Sequence, residues 1–137
     1  MKKIFIFTAF IFFCMTIILN LYAQPQVNSS AKQVSKYIQD LKYGTSGIRC
    51  ESAETLGEMG SSARESMPVL IDAIKDYGIR NFVIEAMGKI GDPSALDALN
   101  YVVKYDKDPK IKKAAGEAIK RIKSKMSKGN FLRSETK

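Results

Sequence analysis

The chain has 137 residues, 45% of them hydrophobic and 26% charged, with 22 basic and 14 acidic side chains and no His or Trp. Its length and balance suit one globular domain. The lack of His excludes Ser-His and Cys-His nucleophiles, and two cysteines, Cys14 and Cys50, are too few to cluster into a structural zinc site.

Lys2 and Lys3 precede an apolar run from Ile4 to Leu19, broken only by Thr8 and Thr16. Asn20-Leu-Tyr-Ala23 then leads into Gln24-Pro25. This pattern predicts a secretory signal peptide over residues 1–23, cleaved after Ala23, and so a periplasmic or secreted protein. Leu21 is larger than the small residue preferred three positions before the cut, so the bond itself is loosely fixed. The alternative is an uncleaved N-terminal anchor, for which the run is near the lower length limit. Phe13 stands where a lipoprotein signal needs a small residue, which argues against lipidation of Cys14. Removing residues 1–23 lowers the formal charge from +8 to +6 (20 basic minus 14 acidic) and leaves one cysteine, Cys50. No intramolecular disulfide is then possible, and hydrophobic packing must hold the fold. A lone Cys on a helix reads as a small packing residue.

Residues 24–30 are polar and read as a flexible leader, with Ser29 or Ser30 available to cap a helix. From Ala31 to Tyr43, Val34, Tyr37, Ile38 and Leu41 recur at helical spacing. Gly44 is expected to end this helix as a left-handed cap, and Thr45 or Ser46 to cap the next. A second helix, Ile48–Gly60, then appears three times: Ile79–Gly91 and Ile111–Lys123 repeat its pattern at offsets of 31 and 32 residues (79−48, 111−79). Each copy opens with Ile and a cation (Arg49, Arg80, Lys112), carries Glu at its seventh step (Glu54, Glu85, Glu117), and places apolar residues at its ninth and twelfth. Those apolar pairs are Leu56/Met59, Met87/Ile90 and Ile119/Ile122. A fixed period in this range marks a helical solenoid.

Between the copies lie partner helices. Ser62 and Glu65 have capping-box spacing. Met67, Leu70, Ile74 and Tyr77, widened by Ile71 and Ala73, form one apolar stripe, with Pro68 predicting a kink or a late start. Gly78 makes a tight turn, and Gly91 closes the second copy. Asp92-Pro93 and Asp108-Pro109 are N-caps followed by Pro at the first helical position. The helix near 93–104 is expected to bury Leu96, Leu99, Val102 and Val103. The first two copies carry Gly at steps ten and thirteen (Gly57/Gly60, Gly88/Gly91), where the third has Lys120 and Lys123. The first glycine of each copy fits close helix approach and the second stops the helix. The third helix is therefore expected to run on to about Met126, with a polar outer face suited to a terminal repeat. Residues 127–137 read as a loose basic tail, and no strand is expected.

The repeats resemble HEAT repeats, and most closely the short HEAT-like repeats also found in phycobilisome lyases. The resemblance rests on Ile48-Arg49…Ala53…Leu56-Gly57…Met59-Gly60, on Ile79-Arg80…Ala86-Met87-Gly88-Lys89-Ile90-Gly91, on Asp92-Pro93 and on Pro68. It covers residues 31–126, in repeats of about 31–60, 61–91 and 92–126. It implies an all-α solenoid of about three antiparallel helix pairs whose second helices line the concave face, often the binding face. It says little about function, because such repeats serve scaffolds, enzyme adaptors and lyase subunits alike. Asp-Pro is missing before Ile48 and Ile79, and the third copy is degenerate.

Chemistry is sparse. No phosphate-binding Gly-rich loop is present, and neighbouring carboxylates such as Glu54 and Glu58 read as a solvated helix face. The expectation is a protein that is not an enzyme, takes no cofactor and no metal, and binds a protein partner. Steps three, seven and eleven share one side of the second helices. They read Cys50/Glu54/Glu58, Asn81/Glu85/Lys89 and Lys113/Glu117/Arg121, and their formal charge runs −2, 0, +1. The bland reading is a solvated stripe with Glu85–Lys89 and Glu117–Arg121 helix pairs. The functional reading is a partner site made of Glu54, Glu58, Asn81, Glu85, Lys89, Lys113, Glu117 and Arg121. Residues 24–103 hold eight bases and ten acids, and residues 104–137 twelve and four. The basic end suggests, as an alternative, contact with an anionic envelope surface; export argues against nucleic acid. An accessory subunit or lyase-like factor for an enzyme is the other alternative.

Overall fold

The computed structural model of the chain describes residues 28–134. The expected signal peptide, its cleavage site and most of the leader lie outside the described residues. Six helices follow in order: α1 Asn28–Tyr43, α2 Ser46–Glu58, α3 Met67–Ala73, α4 Arg80–Ile90, α5 Leu96–Tyr105 and α6 Pro109–Ser134. Short 3-10 segments, Gly60–Ser66 and Pro93–Ala95, lead into α3 and α5. No strand occurs among the described residues. The helices pair as α1/α2, α3/α4 and α5/α6, and the second helices stack in the order α2, α4, α6. This is the expected all-α solenoid of three antiparallel helix pairs.

Local chemistry accounts for most of the boundaries. Pro68 sits in the first turn of α3, so the chain enters through a 3-10 segment and the helix starts late. Asp92 caps the segment beginning at Pro93, its Oδ1 accepting from the Ser94 N–H at 2.9 Å. Asp108 does the same for Lys110 at 2.8 Å at the head of α6. Gly91 ends α4 at φ 77°, a left-handed conformation that costs Gly little. Lys123 occupies the matching step of α6, so that helix has no such stop and continues to Ser134, beyond the expected end near Met126. Residues 127–134 contain no Pro, so no ring interrupts the helix there. Helix α1 likewise begins at Asn28 rather than Ala31.

Five local expectations differ from the structure. Gly44 is not left-handed; among the described residues only Gly60 and Gly91 have positive φ. Gly is required there by crowding, since a Cβ would lie 2.5 Å from the Asp40 carbonyl oxygen and 2.7 Å from Ile48 Cγ2. Thr45 stands at the N-cap of α2 without a side-chain cap bond, and no capping bond forms at Ser62. Tyr77 falls beyond the end of α3 and is 84% exposed. Val103 is 37% exposed because Leu99 and Val102 already fill the inward face of α5.

The core runs through all three pairs: Val34 and Leu41 from α1, Leu56 from α2, Met67 and Leu70 from α3, Met87 and Ile90 from α4, Leu99 from α5 and Ile122 from α6 are buried. Successive second helices approach through the step-ten glycines. A Cβ on Gly57 would stand 2.9 Å from Ala86 Cα, and one on Gly88 3.0 Å from Ala118 Cα. Each glycine therefore receives the step-eight alanine of the next copy. Lys120 takes that place in α6, which closes the pattern.

Polar rungs tie the pairs together as well. Arg49 Nε donates to the Leu41 carbonyl at 2.9 Å, and its guanidinium bonds Asp76 at 2.5 Å. Arg80 repeats both bonds one repeat later, to the Ile74 carbonyl at 2.6 Å and to Asp106. Each cation thus caps the preceding first helix and reaches the turn of the next pair. Asp76 is held below the ordinary carboxylate range chiefly by the Gly78 N–H it accepts, then by Arg49. Asp106 is held low in the same way by the Asp108 N–H, then by Arg80. At Asp92 burial pushes upward, but the Ser94 N–H and hydroxyl and the Arg64 guanidinium outweigh it. Lys112, third in the series, reaches only the Lys104 carbonyl, at 3.5 Å.

Candidate functional site: the second-helix stripe

The stacking of α2, α4 and α6 sets the predicted stripe side by side on three adjacent helices. Glu54, Glu58, Asn81, Glu85, Lys113, Glu117 and Arg121 are exposed; Cys50 and Lys89 are half-buried. The glycine approach shapes the surface between them. Lys89 Cδ lies 3.3 Å from where a Gly57 Cβ would be, and Arg121 Cδ 3.7 Å from the corresponding point on Gly88. Each step-eleven cation therefore crosses the gap its neighbour's glycine leaves, joining one helix to the next.

Between α4 and α6 this produces a shallow groove of about 240 Å³ lined by Asn81, Glu85, Ala114, Glu117, Ala118 and Arg121. Four of the predicted residues meet there. Glu54, Glu58, Lys89 and Lys113 do not line that groove; Glu54 and Glu58 extend the stripe along α2, Lys89 lies toward α2, and Lys113 stands near the start of α6. Glu85 and Lys89 form the expected pair at 3.3 Å. Glu117 and Arg121 do not close to bridging distance, and Glu54, Glu58 and Lys113 have no ion-pair partner among the described residues. Their charges are therefore available to an incoming group. No cluster of three or more His, Cys, Asp or Glu that could hold a metal occurs among the described residues. Cys50 is a free, half-buried thiol.

The basic end is more engaged than its sequence suggests. Lys123, Lys125 and Lys128 are all exposed. The Lys125 ammonium, however, donates to the carbonyls of Lys89 and Ile90 at the C-terminus of α4. A cation at that point satisfies orphan carbonyls and complements the helix dipole. Sequence reasoning missed this role and both rungs. The usable signals were the cation at step two of each copy and an Asp in each following turn.

Residues 36–125 match the HEAT repeats family. The chain belongs to the HEAT repeat family. A bilin biosynthesis protein, RpcF, of Synechococcus sp. (strain WH8020) is 30% identical over 82 residues, covering 60% of this chain. The chain spans 39% of that relative's length. HEAT repeats form interaction surfaces, and here the surface with recurrent, unpaired charge is the face of the second helices.

Proposed function

We propose that this HEAT repeat protein is an exported protein-interaction module, not itself an enzyme, that holds an elongated protein partner across α2, α4 and α6. One observation carries the reading: the stripe recurs in register on three stacked helices while its charge runs from the acidic pair Glu54/Glu58 to Lys113 and Arg121, most of it unpaired. Such a gradient orients a partner and steers its approach. The test is capture from the exporting cell's envelope fraction with the mature chain as bait. Glu54→Lys/Glu58→Lys is expected to weaken capture without unfolding, since exposed charges contribute little stability. Lys36→Glu/Asp72→Lys, on the first-helix side, is expected to leave it unchanged. Equal effects of the two pairs would sink the stripe assignment. If only Lys123 and Lys128 mattered and salt abolished capture, an anionic envelope surface would be the partner instead.

The relative named for bilin biosynthesis favours a second reading, an accessory subunit or lyase-like factor for an enzyme. A captured chromophore would give the purified protein visible absorbance, and its absence after mixing with the chromophore would count against this role.

A further inference from the structure

A second surface lies at the turn edge of the solenoid, where the C-terminal ends of α3 and α5 flank a cleft of about 340 Å³. Its lining includes Ile71, Ile74 and Val102, with Ile74 and Val102 at 8% and 5% exposure. Tyr77, Tyr101 and Tyr105 also line it and stay exposed at 84%, 66% and 56%. The Tyr101 and Tyr105 rings lie 4.7 Å apart. Tyr77 is held by the Arg80 guanidinium, 3.8 Å from its ring centroid and itself fixed to Asp106. None of the three rings is needed to fill the core. Large aromatic side chains left exposed together mark interaction sites, and Tyr is favoured at binding hot spots.

Among the residues that line the cleft, the charge not already committed has one sign. Asp106 is committed to Arg80 and the Asp108 N–H. Lys107 lines the cleft and Lys104 sits 4.8 Å over the Tyr105 ring, and neither has an ion-pair partner among the described residues. Lys75, also in the lining, has only a fully hydrated pair with Asp72 at 3.5 Å. The volume is at the low end for ligand sites, roughly 300–1,000 Å³, which suits one or two large side chains rather than a whole helix. A recessed apolar floor also does not present itself to a bilayer.

We propose that the cleft between α3 and α5 docks an extended acidic segment of a protein partner, with one aromatic or large aliphatic side chain seated among Tyr77, Tyr101 and Tyr105. The lysines meet the segment's carboxylates and the tyrosines supply the apolar contact. This site is separate from the second-helix stripe and stands without it.

The test uses a fluorescein-labelled peptide, Glu-Asp-Pro-Phe-Glu-Asp, titrated by fluorescence anisotropy into the purified protein. Two control peptides replace Phe by Ala or the acids by Lys. Saturable binding of the acidic Phe peptide is expected, with both controls weaker. Tyr101→Ala/Tyr105→Ala is expected to weaken binding by about tenfold or more, while Tyr101→Phe/Tyr105→Phe retains it and both variants keep the parent's melting temperature. Lys107→Glu should weaken binding further as a charge effect that salt removes in the parent. Glu54→Lys/Glu58→Lys should leave peptide binding intact, which separates this site from the stripe. No saturable binding, or equal affinity of the parent and the Tyr-to-Ala variant, would overturn the proposal. So would loss of peptide binding in the stripe variant alone, or a Tyr dependence found only for phosphatidylglycerol vesicles.

Discussion

The two junctions between repeats are built from the same parts but are not equally enclosed. At the first, between α2 and α4, Gly57 receives Ala86 and Arg49 reaches Asp76, with side chains 23% and 39% exposed. At the second, between α4 and α6, Gly88 receives Ala118 and Arg80 reaches Asp106, with side chains 11% and 5% exposed. The second rung also lies under the Tyr77 ring, and Lys125 caps the opposite end of α4. The repeat pattern thus supplies the contacts, while their depth depends on side chains outside the pattern. Charges shielded from water interact more strongly, so the second junction should be the tighter one.

The largest effect is expected in the core that both junctions share. Leu56→Ala and Met87→Ala, each fully buried, should cost about 2–5 kcal/mol in chemical denaturation, much of the roughly 5–15 kcal/mol of a typical domain. Unchanged unfolding of either variant would contradict the proposed packing.

The rungs should come next and should differ. Arg80→Ala strands a shielded carboxylate and is expected to cost about 1.5–3 kcal/mol, more than Arg49→Ala at the open rung. Equal losses would remove the distinction between the junctions. Acid sharpens the same comparison. Asp76 and Asp106 both titrate below their ordinary value when folded. Their stabilisation is therefore complete above the unfolded value of about 4 and fades as pH falls through the folded values. Thermal melts between neutral pH and strong acid should show that fall, and Arg80→Ala should flatten it more than Arg49→Ala.

The glycines give the smallest effects and the most discriminating signs. Ala at Gly57 or Gly88 gains helix propensity but meets backbone at 2.9 or 3.0 Å, so a net loss of about 1–3 kcal/mol is expected. Gly116 has nothing within 4 Å of its would-be Cβ. Gly116→Ala should stabilise by about 0.5–1 kcal/mol. A gain at all three positions in denaturant titrations would show that the second helices do not approach as described.

Periodicity made much of this fold legible. The apolar ninth and twelfth steps and the Gly-to-Lys change in the third copy are local patterns that predicted a buried face and a longer last helix; the cation at step two recurs as plainly, but its role was not legible. Tyr77 and Val103 were misplaced because a widened stripe does not say which margin reaches solvent. The Arg49–Asp76 and Arg80–Asp106 rungs join residues 27 and 26 apart, and seeing them requires the stacking offset, which no single helix reveals. Lys125 was hidden for the same reason: its carbonyl partners belong to the neighbouring repeat. The stripe itself was legible as residues sharing a helix face. The groove among Asn81, Glu85, Glu117 and Arg121 was not, because it forms only when α4 and α6 come together.

Site-specific photo-crosslinking tests the assignment of the binding face most directly. A photoreactive residue is placed at Glu85 or Glu117 in the groove, or at Lys36 or Asp97 on the first-helix side, and illuminated with the captured partner. Partner adducts from Glu85 and Glu117, with none from Lys36 or Asp97, are the predicted result. Adducts from Lys36 or Asp97 in place of the groove positions would contradict a partner held across the second helices.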